Sequence, residues 1–199
     1  MIILGIHASY TGLTHDSSAC LIINGKVVAA AEEEKFIRIK SASTFFPVNA
    51  IKACLKIGNI NIKQVKCIAT SGISYPQIKE KIKKSMQHYF KHSPKIEIFN
   101  HAQSHCAGAF FSSGFKKSIS ISIDGSGDKI SSSVELYSKK NRSINHKKIY
   151  RSDYKNSLGS FYTVFTNFLG FKSIEGEYKL MGMAAYGKPT YDLSKIIFF

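Results

Sequence analysis

Four segments of this 199-residue chain carry side chains whose types and spacing could do chemistry. His15-Asp16-Ser17-Ser18 sets an imidazole beside a carboxylate. Histidine titrates near neutrality and a carboxylate can orient it, so the pair suits a general base. The same residues also suit a polar turn whose Asp and Ser side chains cap the backbone. His101-Ala102-Gln103-Ser104-His105 places two imidazoles at i and i+4. On a helix they share one face and can bind one metal ion, although chance pairs meet that spacing too. No Glu follows His101, so this is not the H-E-x-x-H metalloprotease helix. A third ligand must come from elsewhere, and Asp124, ending the apolar run Ile119–Ile123, is the candidate. A carboxylate at the end of a buried strand needs a metal or backbone amides as partner. Gly125, Ser126 and Gly127 after it let backbone approach an anion closely, as in phosphate-binding hairpins, or simply make a tight turn. The fourth segment, Gly176 to Pro189, reads as a helix stopped by Gly187 and Pro189.

The elements that must position these residues alternate between strand and helix. Residues 2–7 read as a buried strand and residues 9–17 as a polar loop. Asn24-Gly25 then joins two apolar runs, 19–23 and 26–31, as a hairpin, because both turn residues tolerate positive φ. A helix should follow Pro47 and stop at Gly58. Residues 65–70 predict a strand, 76–91 a helix with a basic face, 95–99 a strand, and 102–111 a small-residue helix. Two strands, 118–123 and 131–137, flank the Gly-rich turn, a basic loop covers 139–147, and helices return at 158–169 and 175–186. The order predicts an α/β fold with a mixed sheet flanked by helices. Three strands before the first helix suit a ribonuclease-H-like lobe of the actin-like ATPase type, with the start of a second lobe. The expected division is residues 1–138 for the first lobe and 139–199 for the second.

Composition narrows the classes. Apolar residues at 44% and charged residues at 21% are globular values. No apolar run approaches the ~20 residues of a membrane span, and the N-terminus lacks a signal-peptide pattern, so a cytoplasmic protein is expected. The four cysteines form no C-x-x-C pair and read as buried thiols. The formal charge of +15 comes from 28 Lys+Arg against 13 Asp+Glu, but only Arg38, Arg142 and Arg151 are arginines. Nucleic-acid surfaces draw on Arg forks as well as Lys, so this Lys-rich balance points to compositional drift rather than a nucleic-acid partner.

Taken in order, these segments resemble the NodU/CmcH-type carbamoyltransferases. Leu4-Gly5-Ile6, His15 to Ala19, Glu33 to Phe36 with Arg38 and Lys40, and Phe46-Pro47 carry the resemblance in the first part of the chain. His101 to Phe110, Asp124 to Asp128, Ser157-Leu158-Gly159 with Tyr162, and Glu177 to Gly182 carry it further on. The resemblance implies an enzyme that transfers a carbamoyl group from carbamoyl-adenylate to a hydroxyl of a small-molecule acceptor, in biosynthesis. It implies a separate C-terminal YrdC-like domain, outside these residues, that makes the adenylate from carbamoyl phosphate and ATP. By the same resemblance His101, His105 and Asp124 are ligands of an iron-type divalent metal. His15 is the base, Lys40 a cationic contact to the transferring group, and Asp124 with Gly125, Ser126, Gly127 and Asp128 the nucleotide turn. Lys35 stands where the family usually has Arg, and Ala185 where it usually has Pro. Because relatives are several hundred residues long, a chain of this length is expected to be inactive alone. Two alternatives are a relative of the tRNA threonylcarbamoyl-transfer enzyme and a non-catalytic remnant.

Overall fold

The computed structural model describes residues 1–10, 15–141 and 143–194. Part of the expected 9–17 loop, residues 11–14, lies outside them, as do residue 142 and the last five residues. The fold has two sheets. The first has the order β3-β2-β1-β4-β5, from β1 (Ile2–His7), β2 (Ser18–Ile23), β3 (Lys26–Glu32), β4 (Cys67–Ser71) and β5 (Lys95–Phe99). β1 to β3 are antiparallel neighbours, and β4 and β5 run parallel to β1. This is the mixed α/β, ribonuclease-H-like arrangement that the three leading strands imply. Asn24 and Gly25 make the β2–β3 turn with φ of 50° and 80°, the positive values that this dipeptide tolerates.

One face of this sheet buries Leu4, Ile6, Leu21 and Ile68 under α2 (Val48–Ile57) and α3 (Ile78–Phe90). Ala50, Ile51, Cys54 and Leu55 recur at helical spacing on the buried side of α2, and Ile82 and Met86 on that of α3. Pro47 precedes α2 and cannot cap it with a side chain. The buried Glu33 carboxylate does so instead, accepting from Asn49 N at 3.2 Å, Asn49 Nδ2 at 2.7 Å and Ala50 N at 2.8 Å. Glu33 precedes a short helix, α1 (Glu34–Ile37).

The second sheet, β6-β7-β8, comprises β6 (Lys117–Gly127), β7 (Ile130–Lys140) and β8 (Ser143–Asp153). α4 (His101–Ser113) lies on it through Ala102, Cys106 and Phe110, spaced by four, with the Phe110 and Tyr137 rings stacked at 5.1 Å. Two expectations change here. The basic loop at 139–147 is largely strand β8: an exposed edge strand has no buried face to impose alternation, and its lysines suit an edge. The β6–β7 turn is Asp128-Lys129, at φ of 53° and 64°, rather than the glycines, which remain in β6. The second sheet begins at Lys117, and position 138/139 lies within β7. α5 (Leu158–Phe168) and α6 (Glu177–Met183) follow, and no helix among the described residues is long and apolar enough to cross a membrane.

Candidate metal and transfer site

Parallel strands deliver their following segments to one edge of the sheet, which is where open α/β sheets bind ligands. β1 leads to His7 and His15, β4 to Gly72–Tyr75, and β5 to Asn100 and His101. Asn100 Oδ1 accepts from Gln103 N at 3.2 Å and starts α4, so His101 and His105 project from its first turns.

Across from them, Asp124 presents its carboxylate. His101 Nε2 lies 2.8 Å from Asp124 Oδ2, His105 Nε2 lies 3.6 Å from the same oxygen, and the two Nε2 atoms are 3.0 Å apart. A tetrahedral ion with bonds of about 2.0–2.1 Å has ligand–ligand edges of roughly 3.3 Å, which these separations bracket. The donor set therefore fits a divalent ion. The His101 and His105 contacts, against burial, hold the Asp124 carboxyl far below its ordinary value, and the Asp124 contact raises His105.

Two glycines make the approach possible. A Cβ on Gly127 would meet the His101 ring at 2.1 Å, and one on Gly159 would lie 2.6 Å from Gly125 N and 2.8 Å from the Asp124 carbonyl. Gly159 thus lets α5 sit against the Asp124-Gly125 backbone, where Ser157 Oγ donates toward the Asp124 carbonyl at 3.0 Å and the Gly125 carbonyl at 2.6 Å. Asp128 faces inward. It accepts from His101 N at 2.7 Å, Ser74 N and Oγ at 2.8 Å each, and Ile73 N at 3.2 Å. Burial opposes ionisation there, but these donors prevail and lower its pKa. Asp128 is consequently a clamp between α4 and the segment after β4.

A cavity of about 690 Å3 opens over the trio, lined also by His7, Tyr10, His15, Asp16, Tyr75, Lys81 and Ser126. His15 Nδ1 sits 2.6 Å from Asp16 Oδ2. His7, which sequence reasoning passed over, is held below its ordinary pKa by burial and then by the His101 and His15 imidazoles, so it stays neutral.

The carbamoyltransferase N-terminus family matches residues 74–198, well over half of the chain. The chain belongs to that family. This carbamoyltransferase N-terminal region is 34% identical to the uncharacterized protein sll1178 of Synechocystis over 95% of its length and 35% of that protein's. It is 30% identical to the nodulation protein NolNO of Sinorhizobium fredii over 88% of its length and 28% of the relative's. It thus spans about a third of the curated relatives it matches. Among solved structures it is similar to the activator of the 2-hydroxyisocaproyl-CoA dehydratase from Clostridium difficile, with TM-score 0.48 and 12% identity, over 98% of this chain and 60% of that one.

The carbamoyltransferase motifs do not all reach the cavity. His15, His101, His105, Asp124 and Ser126 line it, whereas Lys40 does not. Lys40 Nζ pairs with Glu34 at 3.2 Å, and Lys35 shares that carboxylate at 2.6 Å. Lys35, then the Ser41 amide, pulls the Glu34 carboxyl down to about 2. The Glu177–Gly182 motif starts by bracing: Glu177 accepts from Thr163 Oγ1 at 2.8 Å and Ile174 N at 3.0 Å, fastening the 170–177 turn to α5. Tyr75 and Gly72 had one legible signal, a glycine after a strand three residues before an aromatic.

Proposed function

We propose that this chain is the part of a carbamoyltransferase that accepts carbamoyl-adenylate and directs its carbamoyl group to a hydroxyl of a small-molecule acceptor. The observation that carries this reading is the convergence of His101, His105 and Asp124, from two separate elements, on a cavity that also holds the His15–Asp16 pair. Because Nδ1 of His15 faces the Asp16 carboxylate, its proton belongs on that nitrogen, leaving Nε2 as the base. In the transfer, the acceptor oxygen bonds to the carbamoyl carbon as its proton passes to His15 Nε2. The carbon–oxygen bond to the phosphate then breaks, and AMP departs. Ser126 and the backbone at Gly125 stand beside the trio, where the adenylate phosphate would lie. His101, His105 and Asp124 would hold a divalent ion, which would supply positive charge for that phosphate. Two imidazoles and a carboxylate suit several such ions, iron among them. Lys40 contacts the transferring group in this reading only after releasing Glu34. Making the adenylate belongs to the YrdC-like domain that the resemblance implies.

The test is metal content and affinity. Replacing His101 and His105 by Ala should abolish stoichiometric divalent binding in calorimetry and elemental analysis while leaving the fold intact. Retention of the ion by that variant overturns the assignment.

A further inference from the structure

The cavity has a second wall that the transfer chemistry does not use. It is made by Tyr10, from the segment after β1, by Tyr75, from the segment entering α3, and by Lys81, on the first turn of α3. The wall is built rather than incidental. Gly72 adopts φ of 107°, and a Cβ there would strike the Tyr75 ring at 2.8 Å. Gly72 N donates to the Phe99 carbonyl at 3.2 Å, and Tyr75 N donates back to the Gly72 carbonyl at 3.0 Å. Asp128 holds Ile73 and Ser74 with the same carboxylate that holds the His101 amide, so this wall and the metal-ligand helix share one clamp. Tyr10 is fixed as well: its hydroxyl bonds to Ser85 Oγ at 3.1 Å and its ring leans on Phe46. Burial raises that phenol to about 12, so it stays neutral.

Lys81 is the cation of this wall. Its Nζ stands 6.0 Å from the centre of the Tyr10 ring, and no carboxylate among the described residues pairs with it. The two carboxylates that line the cavity, Asp16 and Asp124, are instead engaged by imidazoles. An aromatic wall with an ammonium group that only a weak cation–π contact engages suits a ring compound with one apolar face and one anionic substituent. We propose that Tyr10, Tyr75 and Lys81 form the acceptor subsite, and that the acceptor is an acidic sugar. Its apolar face lies on the tyrosines, its carboxylate reaches Lys81, and its hydroxyls point toward His15. This rests on the transfer reading above for the role of the bound sugar, but its binding is measured without adenylate or metal.

The experiment titrates the chain with D-glucuronate, D-glucose, D-glucosamine and AMP, followed by ligand-observed NMR. Glucuronate should bind about fivefold more tightly than glucose, with glucosamine weakest, from one charge-assisted contact at a part-exposed site. Lys81→Gln should erase the difference between glucuronate and glucose. Tyr75→Ala should weaken both sugars and leave AMP unchanged. Both residues are exposed, so the fold should survive either change. The proposal is overturned if no sugar binds, if Lys81→Gln keeps the preference for glucuronate, or if Tyr75→Ala weakens AMP instead of the sugars. Loss of metal binding in the His101/His105 variant is a separate result, so failure here is distinguishable from failure of the transfer reading.

Discussion

Gly127→Ala should cost this protein the proposed metal site at little cost to its fold. Gly127 is not among the residues of positive φ, so alanine fits its backbone and the nearest obstacle to the added methyl is a side chain. That obstacle is the His101 ring, 2.1 Å away. Ordinary carbon–carbon contact begins near ~3.5 Å, so the ring must retreat by about 1.4 Å. Metal ligands tolerate displacements of only about 0.2 Å. His101 is therefore lost as a ligand, or held only by distorting α4. Disturbing a group that positions a ligand typically lowers affinity 10- to 100-fold, and displacing the ligand itself belongs at or above the upper end. An approximately 100-fold loss corresponds to about 2.7 kcal/mol. Overpacking costs about 1–3 kcal/mol of stability, at the low end here because His101 is partly exposed and can swing outward. Calorimetric titration with Co2+ or Mn2+ measures the first quantity and urea unfolding of the apo-protein the second. Combining Gly127→Ala with His101→Ala should remove the stability penalty, since no ring remains to strike. An unchanged metal affinity for Gly127→Ala would refute the reasoning, as would a stability penalty that persists without the imidazole.

Other outcomes follow from buried groups. Glu135 is fully buried and accepts from Ser133 Oγ and Tyr137 Oη at 2.9 Å each, His146 Nε2 at 2.8 Å and Arg151 Nη2 at 3.1 Å. Glu135→Ala leaves these partners unmatched, and should cost about 3 kcal/mol, read as a urea midpoint lower by about 1.5 M. Burial pushes the Glu135 carboxyl up, but its Tyr137 and Arg151 partners more than offset this, and it ionises below its ordinary value. Its contribution is thus present above the ordinary glutamate range and lost as pH falls from there through the lowered folded-state value. Glu135→Gln should flatten the acid limb of stability against pH, which a series of melts at pH 3–7 checks. Cys54 and Cys106 are fully buried, and burial then Glu135 push the Cys106 thiol to about 11. A thiol reagent should therefore label only Cys20 and Cys67 quickly in the native protein, and all four cysteines once it is unfolded.

What the sequence made legible is what local chemistry decides. Asn24-Gly25 specified its hairpin because only a few residue types accept two positive φ values in succession. The His101/His105 spacing and the strand end at Asp124 were also local, so the trio could be assembled before any fold was known. The remainder depends on contacts distant in sequence. Asp128 looked like part of a phosphate turn, yet its partners Ile73 and Ser74 lie 55 and 54 residues away. The residues around Lys40 give no sign that its ammonium group turns to Glu34 rather than to the cavity. β8 escaped for a different reason: its residues face solvent over most of its length, and alternation records burial rather than backbone pairing.

The hairpin end of β6 explains why so many constraints fall on so few residues. β6 loses its regular register with β7 between Ile123 and Gly127, so neighbouring residues there are released from the ladder to serve different neighbours. Asp124 turns toward the imidazoles, Ser126 toward the cavity, and Gly127 yields its side-chain space to His101. Asp128 then reaches across to the first sheet's β4 exit and to the α4 amide at once. Substitution at any of these positions moves something both sheets share. The trio is consequently a product of how α4 docks on the second sheet, and its ligand distances should report any disturbance of that docking before global stability does.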